Sequence, residues 1–179
     1  MNVLSLFKKV KAFVFDIDGV LTDANLLLIP DIHPEGKLIM TRTMNTKDGY
    51  AIQCALRQGY PIAIISGGKN SGAEQRLQYL GIQHIFMDVK NKLECFDSFI
   101  QSQDVQREHV LYMGDDIPDY NILKVAGIKT CPADAVTEIK ELVDYISPFK
   151  GGECCVRDVI EKTLKLQGKW ALDVTTRAI

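Results

Sequence analysis

The stretch KAFVFDIDGVLTD, Lys11 to Asp23, decides how this chain folds. It opens as an almost continuous run of β-forming apolar residues that Gly19 stops. A strand over Lys11–Asp18 with so little polar alternation is one buried on both faces, as in a parallel sheet covered by helices. Two acids break the end of that run. Residues two apart in a strand point to the same side, so Asp16 and Asp18 are expected to project together at the sheet's end. Buried like charges repel, and the usual relief is a raised pKa or a divalent cation. Asp18 also suits a plain turn with Gly19, whereas Asp16, inside the apolar run, has no such role.

Outward from this strand, Leu26–Ile29 and Leu38–Met44 are apolar stretches separated by PDIHPEGK, which reads as a hairpin flap over about 24–44. A helix is expected over Lys47–Arg57, with Tyr50, Ala51, Cys54 and Ala55 on one face and Gly59 ending it. Strands at Pro61–Ser66, His84–Met87, His109–Met113 and Ile128–Cys131 then alternate with helices at Ser71–Leu80, Asn91–Gln101, Tyr120–Val125 and Ala135–Leu142. A last amphipathic helix, Val156–Leu166, precedes a tail over about 168–179. Single helices between strands imply right-handed crossovers, giving an α/β, doubly wound, mostly parallel sheet in one domain spanning 1–179.

Composition narrows the function. Among 179 residues, Lys plus Arg number 21 and Asp plus Glu 23, a net charge of -2 with no basic block for a phosphate backbone, so no nucleic-acid partner is expected. No apolar run approaches the roughly 20 residues of a membrane span, so no membrane partner is expected either. The five cysteines are odd in number and form no CxxC pair, and the start lacks a signal-peptide core; both fit reduced thiols in the cytoplasm. His33, His84 and His109 are isolated and read as surface or strand-start residues.

Ligands of open parallel sheets bind beyond the carboxyl ends of the strands. Besides Asp16 and Asp18, two further strands end in polar clusters. After HVLYM comes Gly114-Asp115-Asp116-Ile117-Pro118-Asp119; Asp115 leaves its strand at the same edge as Asp16, and the two together suit Mg²⁺ with its retained waters and a phosphate. Asp116 and Asp119 serve equally as caps of the next helix or as functional acids. After PIAII comes Ser66-Gly67-Gly68-Lys69, a hydroxyl and open backbone N–H groups suited to an oxyanion, though also an ordinary loop, and not a Walker sequence. Lys92 opens the helix after the next strand, where it either meets solvent or places a point charge on the same phosphate. Acids, a hydroxyl and a lysine, gathered from different strands, suit phosphoryl transfer through a carboxylate nucleophile.

Phe15-Asp16-Ile17-Asp18-Gly19-Val20-Leu21-Thr22-Asp23, Ile64-Ile65-Ser66-Gly67, Lys92 and Gly114-Asp115-Asp116 with Asp119 resemble the four motifs of the haloacid dehalogenase (HAD) superfamily phosphatases. Asn45-Thr46-Lys47-Asp48-Gly49, Gly151-Gly152 with Val156-Arg157-Asp158, and Leu166-Gln167-Gly168-Lys169 resemble its capless subgroup containing 3-deoxy-D-manno-octulosonate 8-phosphate (KDO 8-phosphate) phosphatase, over about Lys11 to Lys169. The resemblance implies a Rossmann-like, HAD-like sheet with a flap and no cap domain; the stretches Asp23–Ser66 and Ser66–Lys92 leave no room for one. It implies Asp16 as nucleophile forming an aspartyl phosphate, and Asp18 as the acid and base. Mg²⁺ would lie on Asp16, Asp115 and the Asp18 backbone carbonyl, and the phosphate oxygens on Ser66, Gly67 and Lys92. Asp116 and Asp119 would orient the metal's surroundings or Lys92, and Asn45, Thr46, Lys47, Asp48, Gly49 and Arg76 would meet a sugar acid phosphate. It further implies a homotetramer with shared active sites and a role in making lipopolysaccharide core sugar.

Gly68 and Gln53 stand where relatives carry arginines, which leaves a nine-carbon, sialic-acid-type 9-phosphate open as substrate, with Arg76 or Lys69 as replacement for the missing fork. Cys154 and Cys155 stand where the family reads Gly-Ala, and buried packing is their expected role. A non-catalytic oligomerising module of the same fold is the alternative from another class.

Overall fold

In the computed structural model, which describes residues 2–30, 38–69 and 71–170, the sequence pattern becomes six parallel strands with helices on both faces. The strands are β1 (Ala12–Phe15), β4 (Ile62–Ile65), β5 (His84–Phe86), β6 (Val110–Met113), β7 (Ile128–Cys131) and β8 (Tyr145–Ile146), in the order β5-β4-β1-β6-β7-β8. Every pairing within this sheet is parallel. All four residues of β1 are buried because both faces are covered. Phe13 and Phe15 pack on one side with α1 (Val3–Phe7), α2 (Thr46–Arg57), α3 (Ser71–Tyr79) and α7 (Cys155–Leu166). Ala12 and Val14 pack on the other with α4 (Lys92–Ser102), α5 (Tyr120–Leu123) and α6 (Thr137–Lys140). Strand order reverses at β1, which places the crevice beyond the ends of β1, β4 and β6.

β2 (Leu27–Pro30) and β3 (Leu38–Thr41) pair antiparallel as a separate hairpin, Leu28 opposite Met40. Each residue of β2 is exposed, Leu27 by 63%. Ile39 and Met40 are exposed too. The hairpin thus presents apolar side chains from both faces to its surroundings, a surface of the kind that marks an interaction site. The hairpin tip with His33, Asn70 and the segment 171–179, which holds most of the tail, lie outside the described residues.

Two elements have no counterpart in the sequence reading. The chain start forms α1, not a direct entry into β1: Asn2 caps the turn by accepting from Leu4 N at 3.0 Å, and Phe7 is fully buried. β8 is an edge strand of two residues, too short for periodicity to signal. A third difference matters more. β1 stops at Phe15, because the Asp16 side chain accepts from Ile17 N at 2.7 Å and the chain turns over Ile17–Leu21, closed by Thr22 N to Ile17 O at 3.0 Å. Asp18 therefore sits in a turn, and the pleat of a strand does not bring its carboxylate beside that of Asp16.

Candidate active site

Asp16 leaves the end of β1 and is 7% exposed. Asp115 leaves the end of β6, and Asp119 lies one turn further on, fully buried. Carboxylate oxygens of the three lie within 4.8 Å of one another. Lys92, at the start of α4, spans two of them, with Nζ 2.8 Å from Asp16 Oδ2 and 2.8 Å from Asp119 Oδ1. Tyr112 of β6 donates its hydroxyl to Asp119 Oδ1 at 2.6 Å, and Asp115 N donates to Asp119 Oδ2 at 3.0 Å. Both oxygens of Asp119 are thus committed to protein donors. Asp16 also has a donor on each oxygen, Ile17 N on Oδ1 and Lys92 on Oδ2, but of the three it is Asp16 and Asp115 that line the cleft and are placed to meet a ligand.

The approach of Asp115 to the first loop depends on Gly19. A Cβ there would stand 1.9 Å from Asp115 Oδ2, and its φ of +81° disfavours any side chain. At the end of β4, Ser66 is buried and its Oγ accepts from Gly68 N at 3.1 Å, while Gly67 is exposed on the cleft wall. The cleft measures about 250 Å³ and is lined by Asp16, Asp18, Ser66, Gly67, Lys92 and Asp115 among others. Asp116 lies on its rim, exposed, and accepts from Ile117 N at 2.7 Å.

Electrostatics define what this cleft needs. Burial, then the charge of Asp119, push the Asp16 carboxyl up to about 7 against the pull of Lys92. Burial, then Asp119 and Asp16, push Asp115 up to about 8. Burial works against the Lys92 cation, yet Asp16 and Asp119 outweigh it and hold its pKa above the ordinary value. One lysine does not neutralise three clustered acids. Hard carboxylate oxygens at this spacing fit a small oxygen-loving divalent cation. A carboxyl raised on folding costs stability progressively as pH climbs from its ordinary value of 3.8 to its raised one, because the unfolded chain has released a proton that the folded protein still holds. The metal-free protein is therefore expected to lose melting temperature between about pH 4 and about pH 8. Asp48, raised to about 6 chiefly by burial, adds a slope of the same sign that a cation in the cleft does not touch. Mg²⁺ is expected to raise the melting temperature more at about pH 8 than at about pH 6, where protons compete for the acids. Equal gains at both would place its binding elsewhere.

Asp18 lines the same cleft but is not one of the clustered carboxylates. Arg42, just past β3, donates from Nε to Asp18 Oδ1 and from Nη2 to Asp18 Oδ2, the latter at 3.0 Å. Among the substrate positions, Asn45 caps α2 by accepting from Lys47 N at 2.9 Å and donates to Gly152 O at 3.2 Å. Asp48 is buried and accepts from Arg157 N at 2.7 Å, so its carboxylate caps the start of α7 from the neighbouring helix. Thr46 and Lys47 are exposed. Lys47 lines a separate hollow of about 680 Å³ beside α7, whose ion pairs Arg157–Glu161, Lys162–Asp158 and Lys165–Glu161 satisfy one another at 2.6–3.2 Å. Gly49 lets Arg76 approach α2, since a Cβ there would stand 3.2 Å from Arg76 Nη2. Lys69 pairs with Asp88 at 2.8 Å on the surface. Cys155 is buried, and Cys154 holds a φ of +81° at the start of α7, a conformation suited to glycine.

Two residues of this site escape a reading of the sequence. Tyr112 sits in an apolar strand where only its hydroxyl marks it. Arg42 is a lone cation at the foot of a hairpin, and nothing local ties it to Asp18.

The family described as haloacid dehalogenase-like hydrolase matches residues 49–133. The 3-deoxy-D-manno-octulosonate 8-phosphate phosphatase KdsC of Escherichia coli K12 is 33% identical over 168 residues, covering 94% of this chain and 86% of the relative. A crystal structure of the phosphatase of that name from Yersinia pestis superposes with a TM-score of 0.86 at 28% identity, covering 93% of this chain and 87% of the other. That from Moraxella catarrhalis, in complex with magnesium ion, phosphate ion and a KDO molecule, has a TM-score of 0.85 at 29% identity, covering 93% and 92%.

Proposed function

Because the chain belongs to the KDO 8-phosphate phosphatase family of haloacid dehalogenase-like hydrolases and is a phosphatase, we propose that its own reaction is the Mg²⁺-dependent hydrolysis of KDO 8-phosphate to KDO and phosphate. The observation that carries this reading is the carboxylate triad where β1 and β6 end, with Asp16 and Asp119 buried and bridged by Lys92 and Asp115 half-buried beside them. In this reading Asp16 attacks phosphorus and forms an aspartyl phosphate, which water then hydrolyses. Lys92 is held from both sides and meets the equatorial oxygens together with the Ser66 hydroxyl and the Gly67 N–H, stabilising charge as it shifts onto them. Asp18 gives a proton to the leaving alkoxide and later takes one from water. Asp16, Asp115 and the Asp18 carbonyl would hold Mg²⁺, which would supply charge neutralisation for the approach of nucleophile and phosphate. Asp119 fixes Lys92 and Asp115, and Arg76 and Lys47 are our candidates for the sugar.

Gly68 and Gln53 give specific grounds for a second substrate, a nine-carbon sugar acid 9-phosphate, because the wall at position 68 carries no side chain. The non-catalytic alternative gives way to the family assignment. We further propose that copies of this chain cover the exposed hairpin as a homotetramer, and that it works in the cytoplasm in lipopolysaccharide synthesis. Five free thiols fit a reducing compartment.

Phosphate release is measured with Mg²⁺ and with chelator on KDO 8-phosphate, a nine-carbon 9-phosphate and hexose phosphates, with sedimentation of the same sample. The expected result is metal-dependent turnover with preference for KDO 8-phosphate by an assembly larger than the 20.0 kDa chain. Preference for the nine-carbon acid would replace the substrate, and a monomer would remove the shared-site proposal.

A further inference from the structure

Asp18 is assigned to the leaving group, yet both its oxygens are occupied by Arg42. The guanidinium is anchored deeply: its side chain is 7% exposed, against 36% for Asp18. It is also under-used, because Nη1 is buried without a hydrogen-bond partner among the described residues. Gly68 leaves the wall between cleft and guanidinium thin. A Cβ at that position would lie 3.3 Å from Asp18 Oδ2 and 3.6 Å from Arg42 Nη2, and both Asp18 and Gly68 line the cleft.

We propose that Arg42 is a specificity residue acting as a substrate-operated latch: it holds Asp18 until the carboxylate of the incoming sugar acid takes its place on the guanidinium. The inference rests on a sugar acid phosphate being the substrate. Simple rupture of the pair would leave a buried guanidinium with no anion, which is strongly unfavourable. Exchange of one bidentate carboxylate for another is nearly balanced, and the unpartnered Nη1 gives the newcomer a donor that Asp18 does not use. A phosphate ester without a carboxylate brings no such exchange partner, since its phosphate is engaged by Ser66, Gly67 and Lys92. The latch thus makes the acid group at one end of the substrate a condition for chemistry at the other, which rejects ordinary sugar phosphates without a cap domain.

The test compares wild type, Arg42→Met and Arg42→Lys on KDO 8-phosphate and on p-nitrophenyl phosphate, which has no carboxylate, with circular dichroism as a folding control. Arg42→Met is expected to lose roughly 10²-fold in kcat/KM on KDO 8-phosphate, mostly through KM. On the aryl phosphate its kcat is expected to rise several-fold, with Arg42→Lys between the two. Added pyruvate, a small 2-keto acid, is expected to stimulate wild-type aryl phosphate hydrolysis and to leave Arg42→Met unaffected. Parallel losses on both substrates, unchanged kinetics on both, or no response to pyruvate would overturn the latch. If the wild type ignores KDO 8-phosphate, the substrate assignment fails by itself, and the aryl phosphate and pyruvate arms still decide the latch.

Discussion

Asp16→Asn is expected to cut Mg²⁺-dependent phosphate release by about 10⁴-fold or more, the scale on which covalent enzymes lose turnover without their nucleophile. The amide cannot attack phosphorus, yet it fills the same volume and keeps an oxygen to accept from Ile17 N. The fold should survive the change. Burial and Asp119 both penalise the charge that Asp16 carries, and Lys92 retains Asp119 as its partner at 2.8 Å. The metal-free variant is therefore expected to melt no lower than wild type near neutral pH, while its gain from added Mg²⁺ shrinks because one of the two carboxylates of the cluster that line the cleft is gone. Acid quenching during turnover supplies the direct check on the covalent step. Labelled phosphate should remain on wild type and be missing from the variant. Activity within tenfold of wild type would move the nucleophile elsewhere, and an unlabelled wild type would argue for direct attack by water.

What the sequence discloses about this site follows from how each residue is positioned. Asp16, Ser66 and Asp115 stand where apolar runs stop, and a run that stops at a sheet edge is a local signal. Their convergence follows from the parallel order of β4, β1 and β6, which the alternation of strands with helices already implies. Asp18 defeats that logic, because the strand ends three residues before it and a turn redirects its side chain toward the hairpin. Asp48 belongs to the same stretch as the substrate positions but caps α7, a contact with Arg157 more than a hundred residues away that no local pattern reports. Arg42 and Tyr112 act through pairings of the same long-range kind. Periodicity finds faces and ends of elements; it does not find the partner of a buried polar group, which is set by packing across the chain. The short α1 and β8 are invisible for the separate reason that five and two residues do not establish a period.

Asp119→Ala is expected to damage stability and activity together, in proportions that define the role of this carboxylate. Asp119 accepts from Lys92 Nζ, Tyr112 OH and Asp115 N with no exposure to water. Truncation leaves a buried hydroxyl and a backbone N–H without acceptors and opens a cavity at the end of β6. Removing one partner of a buried ion pair costs roughly 3–5 kcal/mol. Relief of repulsion on Asp16 and Asp115 opposes this, and Lys92 keeps Asp16, so a loss near the lower end is expected, a fall of roughly 10 °C in melting temperature for a chain this size. Lys92 then hangs from one side only, and a misplaced phosphate contact is worth on the order of 10²-fold in kcat. Asp119→Asn keeps volume and one acceptor while deleting the charge, but its amide NH2 must face one of the three donors, so it should recover part of the stability and lie between Ala and wild type in kcat. The Mg²⁺ concentration giving half-maximal rate separates two roles for the residue. A positioning residue leaves that concentration unchanged in Asp119→Asn, whereas a third metal ligand raises it tenfold or more. The three bonds that Asp119 accepts, against two for Asp16, together with its full burial favour the first outcome, and a large rise would reassign Asp119 to the cation.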